Sequence, residues 1–145
     1  MIVLDTNVVS ELMRPAPEPG VLAWLNAQAT HELWLNSVVV SELLYGVARL
    51  SEGARKRQLA QTVLAQTVSA MLDEDFMGRV LPFDLESAVI YAELVANQER
   101  QGHALAMADA QIAAICLAHG AVLATRNVKH FAGLGLSLLN PWAVV

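Results

Sequence analysis

Met1-Ile2-Val3-Leu4 is an apolar, partly β-branched run, and it halts at Asp5-Thr6-Asn7. A run of this kind reads as a short buried strand. The three residues that stop it favour turns and helix caps. A helical pattern over residues 8–13 follows, so the opening is strand, acidic corner, helix. The same succession returns further along. Residues 33–36 read as a second strand, and Ser37 as the N-cap of a helix reaching about residue 50. Residues 79–83 read as a third strand. Asp84 caps the next helix, which runs to about residue 101 and stops at Gly102. Residues 106–119 form a helix ended by Gly120, residues 121–124 a fourth strand, and residues 136–139 a fifth. Two further helices fill the gaps. One covers residues 21–28, after a loop over residues 14–20 in which Pro15, Pro17, Pro19 and Gly20 end the first helix. The other covers residues 53–72, with Leu59, Val63, Leu64, Val68, Met71 and Leu72 on one face. There is no internal repeat and no low-complexity tract. Short apolar strands alternating with helices predict a single α/β domain with a mostly parallel sheet of four or five strands.

Composition narrows the function. The chain has 145 residues, enough for one domain with a real core and no metal or disulfide staple. Hydrophobic residues make up 55% and charged residues 16%, which excludes intrinsic disorder. So apolar a chain predicts a covered surface, through a homodimer or a protein partner. The net charge is −5, with a pI near 5.2, so a general basic field for nucleic acid is excluded while a local site is not. The single cysteine, Cys116, sits in an apolar helix and reads as a buried core thiol in a reducing, cytoplasmic setting. No apolar run reaches the roughly 18 residues of a membrane span. A strand that begins at Ile2 predicts no signal peptide.

The chemistry rests on acids at the carboxyl ends of strands, where open α/β sheets place their ligands. Asp5 follows the first strand. Glu42 lies in the helix after the second. Asp109 lies in the first turn of the helix before the fourth, and Asn127 comes just after that strand. Each has a structural reading as well: a helix cap for Asp5, a solvated helix residue for Glu42, a favourable first-turn charge for Asp109. Two surroundings argue for more. Glu42 is flanked in sequence by Val38, Val39, Val40, Leu43 and Leu44, and Asp109 by Leu105, Ala106, Met107, Ala108 and Ala110. Acids in apolar surroundings lose hydration unless something compensates. An all-oxygen set favours a hard cation, Mg²⁺ or Mn²⁺, and such a site suits phosphodiester hydrolysis.

Four segments taken in order resemble the PIN-domain family, and within it the VapC/FitB-like toxin ribonucleases of bacterial toxin–antitoxin pairs. They are Ile2-Val3-Leu4-Asp5-Thr6-Asn7, Ser41-Glu42-Leu43-Leu44-Tyr45-Gly46, Ala108-Asp109-Ala110-Gln111-Ile112-Ala113-Ala114 and Thr125-Arg126-Asn127. The resemblance extends to the tail Asn140-Pro141-Trp142. It implies a three-layer α/β/α domain, usually homodimeric. It also implies a Mg²⁺- or Mn²⁺-dependent ribonuclease inhibited by a cognate antitoxin, with DNA met only through that antitoxin. By resemblance, Asp5, Glu42 and Asp109 are the acids around the metal, and Thr6 and Thr125 support them. The fourth family position, usually Asp, is Asn127 here. Its amide oxygen still coordinates but adds no charge, which weakens a second metal.

The remaining charges and aromatics are placed more simply. Arg126 and Lys129 flank Asn127 and suit a substrate phosphate. Arg49, Arg55, Lys56 and Arg57 form a second cluster, read equally as RNA contact or solvated helix face. His130 reads as an ordinary loop histidine, with phosphate contact or proton donation as the alternative. Trp24, Trp34, Phe83 and Tyr91 read as core, and Trp142 as docking the tail. The helices over residues 21–28 and 38–50 offer a dimer face or an antitoxin groove. Two competing functions remain. A haloacid-dehalogenase-like phosphatase needs a second Asp two residues after the first, where Asn7 stands, and a later paired acidic motif that is missing. A catalytically weak PIN protein would act mainly in a DNA-bound repressor complex with its antitoxin, a reading that Asn127 sustains.

Overall fold

The computed structural model describes residues 1–49 and 55–143, with side chains for residues 1–49 and 62–143. Five strands form one all-parallel sheet: β1 (Ile2–Leu4), β2 (Leu33–Asn36), β3 (Val80–Leu81), β4 (Val122–Ala124) and β5 (Ser137–Leu139). Their order is β3-β2-β1-β4-β5. Ile2 is in register with Leu33 on one side and Val122 on the other. The helices are α1 (Thr6–Leu12), α2 (Pro19–Asn26), α3 (Ser37–Ala48), α4 (Arg55–Ala70), α5 (Leu85–Arg100), α6 (Met107–His119) and α7 (Val128–Phe131).

Three layers follow from burial along β1. Successive strand residues point to opposite faces, yet Val3 is 0% exposed and Leu4 1%. Both faces of the central strand are therefore covered. Leu123 and Ala124 in β4 are likewise fully buried. Val8 and Val9 of α1, Val39 of α3, Val68 of α4, and Ile112 and Ile115 of α6 supply the covering apolar surface. Cys116 is among these buried side chains, as its surroundings predict.

Several boundaries differ from the sequence expectation, each for a local reason. Pro19 does not end α1; it opens α2, where a proline at the first turn has no N–H to waste and the right φ. Asn36, not Ser37, caps α3, its side-chain oxygen accepting the Val39 N–H at 2.9 Å. Asp5 caps α1, which therefore starts at Thr6 rather than Val8. The long helix is described from Arg55 to Ala70 and widens into a π turn over Met71–Asp75. Residues 53 and 54, residue 50 and the Leu59 side chain lie outside the described set. Val63, expected on the apolar face of α4, is exposed. Helix α7 is new, and Gly120 takes the left-handed conformation expected of a helix stop, at φ +60°. Trp24 is core, while Trp34, Phe83 and Trp142 are half-buried against it, and the half-buried Tyr91 meets Phe83 edge to face at 5.8 Å.

The strand order positions the site. The chain leaves β1 toward β2 and β3, then returns to the other side of β1 for β4 and β5. That reversal opens a crevice at the carboxyl ends of β1 and β4. Asp5 and Thr125 stand there, one at the end of each strand.

Candidate active site

Asp5 joins sheet and helix at this crevice. Its N–H donates to the Ala124 carbonyl at 2.9 Å, extending the β1–β4 pairing by one residue. Its Oδ1 accepts the Thr6 N–H at 2.9 Å, the capping bond of α1. Its Oδ2 accepts the Thr125 hydroxyl at 2.7 Å and the Asn7 amide Nδ2 at 3.2 Å. The side chain is only 5% exposed, so these donors replace most of its water. The capping role and the ligand role expected of Asp5 are thus compatible in one residue.

Thr125 and Asn7 lock this arrangement. Thr125 is 0% exposed. Its oxygen donates to Asp5 and accepts the Asn127 N–H at 3.0 Å and Asn7 Nδ2 at 3.3 Å. The Asn7 Oδ1 accepts the Arg126 N–H at 3.1 Å. Asn7 therefore ties the start of α1 to the loop after β4. In the sequence Asn7 reads only as part of the turn that halts β1, with no place in the site. An amide two residues beyond a capping Asp, able to donate and accept at once, was the available signal.

Asp109 is the third residue of α6 and half-buried. Burial, and then the negative charge of Asp5, push its carboxyl above the ordinary 3.8; the neighbouring His130 pulls the other way. His130 Nδ1 lies 3.5 Å from Asp109 Oδ2. His130 is thus not a loop residue but part of α7, facing the acid. The opposition of Asp5 and Asp109 is the feature that calls for a cation.

Glu42 joins from a third element. Thr6 Oγ1 donates to Glu42 Oε1 at 2.8 Å, which makes Thr6 the bridge between α1 and α3. The expectation of apolar surroundings for Glu42 fails. Val38, Val39, Leu43 and Val47 turn inward, whereas Glu42 shares the exposed face with Ser41, Leu44 and Tyr45. Sequence neighbours on a helix point in different directions. Asn127 is exposed and engages Thr125 through its backbone. Arg126 is exposed, its guanidinium 5.0 Å from the centre of the Trp142 ring. Arg49 lies 5.9 Å over the Tyr45 ring, and the side chains of Arg55, Lys56 and Arg57 lie outside the described set.

Among the described residues, no three His, Cys, Asp or Glu side chains close around a metal position. The donors nonetheless fit a hard divalent cation. They are carboxylate oxygens, and Asp109 carries a penalty from Asp5 that a cation between them would relieve.

A sequence profile for the PIN domain matches residues 2–134. The chain is 41% identical over 142 residues to VapC ribonuclease Y4jK of Sinorhizobium fredii, covering 98% of each chain. It is 39% identical over 142 residues to Toxin FitB of Neisseria gonorrhoeae, covering 98% of this chain and 99% of that one. Its fold matches the solved structure of FitAB bound to an IR36 DNA fragment, with a TM-score of 0.88 and 36% identity, covering 100% of this chain and 98% of that one.

Proposed function

The chain belongs to the PIN-domain family, and from that membership we propose that it is the toxin of a toxin–antitoxin pair, a divalent-metal-dependent ribonuclease that hydrolyses RNA phosphodiester bonds. The observation that carries this reading is the buried Asp5, fixed by Thr125 and Asn7 at the switch point of the sheet with the charge of Asp109 set against it. The kinship to a VapC ribonuclease and to Toxin FitB supports it. The chain acts as one PIN domain.

The metal of this reading is Mg²⁺ or Mn²⁺, which Asp5 and Asp109 would hold, with Glu42 and the Asn127 amide as further oxygen donors. Such an ion supplies charge for the phosphate and a water acidic enough to attack it. The protein's own groups do the rest. Thr125 and Asn7 fix the Asp5 carboxylate by donating to Oδ2, so that it needs no reorganisation. Thr6 holds Glu42 Oε1, which leaves Oε2 to orient the attacking water. Arg126 and Lys129 supply positive charge beside the crevice. Asn127 adds no charge there, so one tightly held metal is favoured over two.

An antitoxin is the inhibiting partner, and it covers apolar surface that α2 and α3 leave exposed at Leu22, Leu44 and Tyr45; a homodimer uses the remainder. DNA is met through the antitoxin. The net charge of −5 disfavours direct DNA contact, and FitAB is itself found on a DNA fragment. No described helix is long and apolar enough to cross a membrane. The compartment of this reading is the cytoplasm, which suits the lone free Cys116 and a toxin that acts on RNA. The phosphatase alternative is set aside, because Asn7 is used as a hydrogen-bond hub where that chemistry needs an acid.

The test is growth on induced expression in bacteria without the antitoxin. The wild-type chain should arrest growth, while Asp5→Ala and Asp109→Asn, made to equal levels and shown folded by circular dichroism, should not. Arrest that persists in both variants would overturn the nuclease reading.

A further inference from the structure

The acids define where a phosphodiester is cut but not how the strand reaches them. A cleft of about 670 Å³ starts at Asp109 and extends between the loop joining α5 to α6 and helix α7. That volume lies within the range of about 300–1,000 Å³ usual for ligand sites. The cleft is less acidic than the molecule as a whole. With histidines neutral the chain carries −5, whereas Lys129 offsets Asp109, the one acid in this lining, and His103 and His130 add N–H donors.

His130 faces Asp109 at 3.5 Å, which leaves Lys129 and His103 as the uncommitted basic side chains here. Lys129 is exposed and has no carboxylate or hydrogen-bond partner among the described residues. Several other cations are already engaged: Arg14 with Glu11, Arg79 with the carbonyl of Leu33, Arg126 with the Trp142 ring. His103 is exposed on the loop that Gly102 turns at φ +74°, and its N–H donates to the Gln98 carbonyl at 2.9 Å. The first residue before α6, Ala106, also lines the cleft and offers no side-chain cap.

We infer that this cleft binds the RNA backbone on one side of the scissile bond, with Lys129 and His103 holding a flanking phosphate. This rests on the ribonuclease reading above. The contact is to the backbone and not to bases, because no Phe, Tyr or Trp lines the cleft, while Lys129 and His103 offer N–H donors to a phosphate.

The test uses the full chain and a labelled single-stranded RNA, with binding followed by fluorescence anisotropy in EDTA and cleavage followed separately with Mn²⁺. Losing one phosphate contact removes about 0.7 from the slope of log affinity against log salt. Between about 50 and 200 mM salt, Lys129→Gln should therefore lose about 2.6-fold less affinity than wild type. In cleavage, Lys129→Gln and His103→Gln should raise KM several-fold with kcat nearly unchanged, and Lys129→Arg should restore wild-type behaviour. An unchanged slope and KM in both neutral variants overturns the inference. So does a loss of antitoxin binding with RNA binding intact, which would assign the cleft to an acidic protein segment. Absence of metal-dependent cleavage by the wild type overturns the nuclease reading instead, and the anisotropy series still decides whether the cleft holds RNA.

Discussion

Thr125→Val tests how the site is held together. The two side chains are nearly isosteric, so the substitution exchanges a hydroxyl for a methyl in a position that is 0% exposed. Three bonds go. The strongest is the 2.7 Å bond donated to Asp5 Oδ2, a charge-assisted contact worth about 1.5–3 kcal/mol. The bond from the Asn127 N–H at 3.0 Å costs little, because Asn127 is exposed and water can replace it. The 3.3 Å bond from Asn7 Nδ2 costs little too, because that amide keeps Asp5. Against these losses, the extra buried methyl gains about 0.8 kcal/mol. The net is a destabilisation of about 1–2 kcal/mol. For a domain near 150 residues that lowers Tm by roughly 2–8 °C. Activity should fall further than stability, by about 10- to 100-fold, as is usual when a group orienting a metal ligand is lost. Differential scanning fluorimetry and cleavage of a labelled RNA read the two effects, and Thr125→Ser should recover both. A Thr125→Val protein within about 1 °C and twofold of wild type would refute the assignment of Thr125 as the holder of Asp5.

Four other substitutions, one of them read in a pH series, test the site and the core. Asp109→Asn should raise Tm in EDTA at pH 7: its carboxyl is pushed up by burial and by Asp5, so the stability it gives is present only at low pH and is lost as pH rises through the raised value. The same variant should lose the stabilisation, about 2.7 kcal/mol at a hundredfold excess over Kd, that Mn²⁺ gives the wild type. Glu42→Gln should change stability by no more than the roughly 0.5 kcal/mol typical of surface sites, yet reduce cleavage at least tenfold, because Glu42 is exposed and, among the described residues, held by Thr6 alone. Asn127→Asp should increase the number or affinity of bound Mn²⁺ ions measured by calorimetry. Burial, with a smaller push from Asp5, raises the Cys116 thiol from 9.0 to about 12. The stability from its neutral form is therefore complete below pH 9 and lost between pH 9 and about 12, so Cys116→Ala should flatten the alkaline limb of a Tm–pH profile.

The backbone plan was largely legible because its signals are local. The run Ile2–Leu4 ends on a capping acid, Asp84 accepts the Ser87 N–H at 2.9 Å as a cap should, and Gly102 and Gly120 take the positive φ that a helix stop requires. The acids near one end of the sheet were legible because parallel strands bring their carboxyl ends to one edge. What the sequence hid depends on direction. Glu42 sits among apolar neighbours in the chain but on the wet side of α3. Glu11 is buried and paired with Arg14 at 2.8 Å, a pairing that composition and periodicity do not announce. Asn7 and His130 acquire their places through contacts across more than one element, Asn7 with the loop after β4 and His130 with α6. Helix α7 is a single turn, too short for any periodic pattern to reveal.

The account turns on a metal-dependent nuclease built from Asp5 and Asp109, and cleavage of RNA by the purified chain measures this most directly. Bulk RNA should be cut with Mg²⁺ or Mn²⁺, spared in EDTA, and spared by Asp109→Asn under every condition. Cutting that survives EDTA, or that Asp109→Asn retains, would contradict the account.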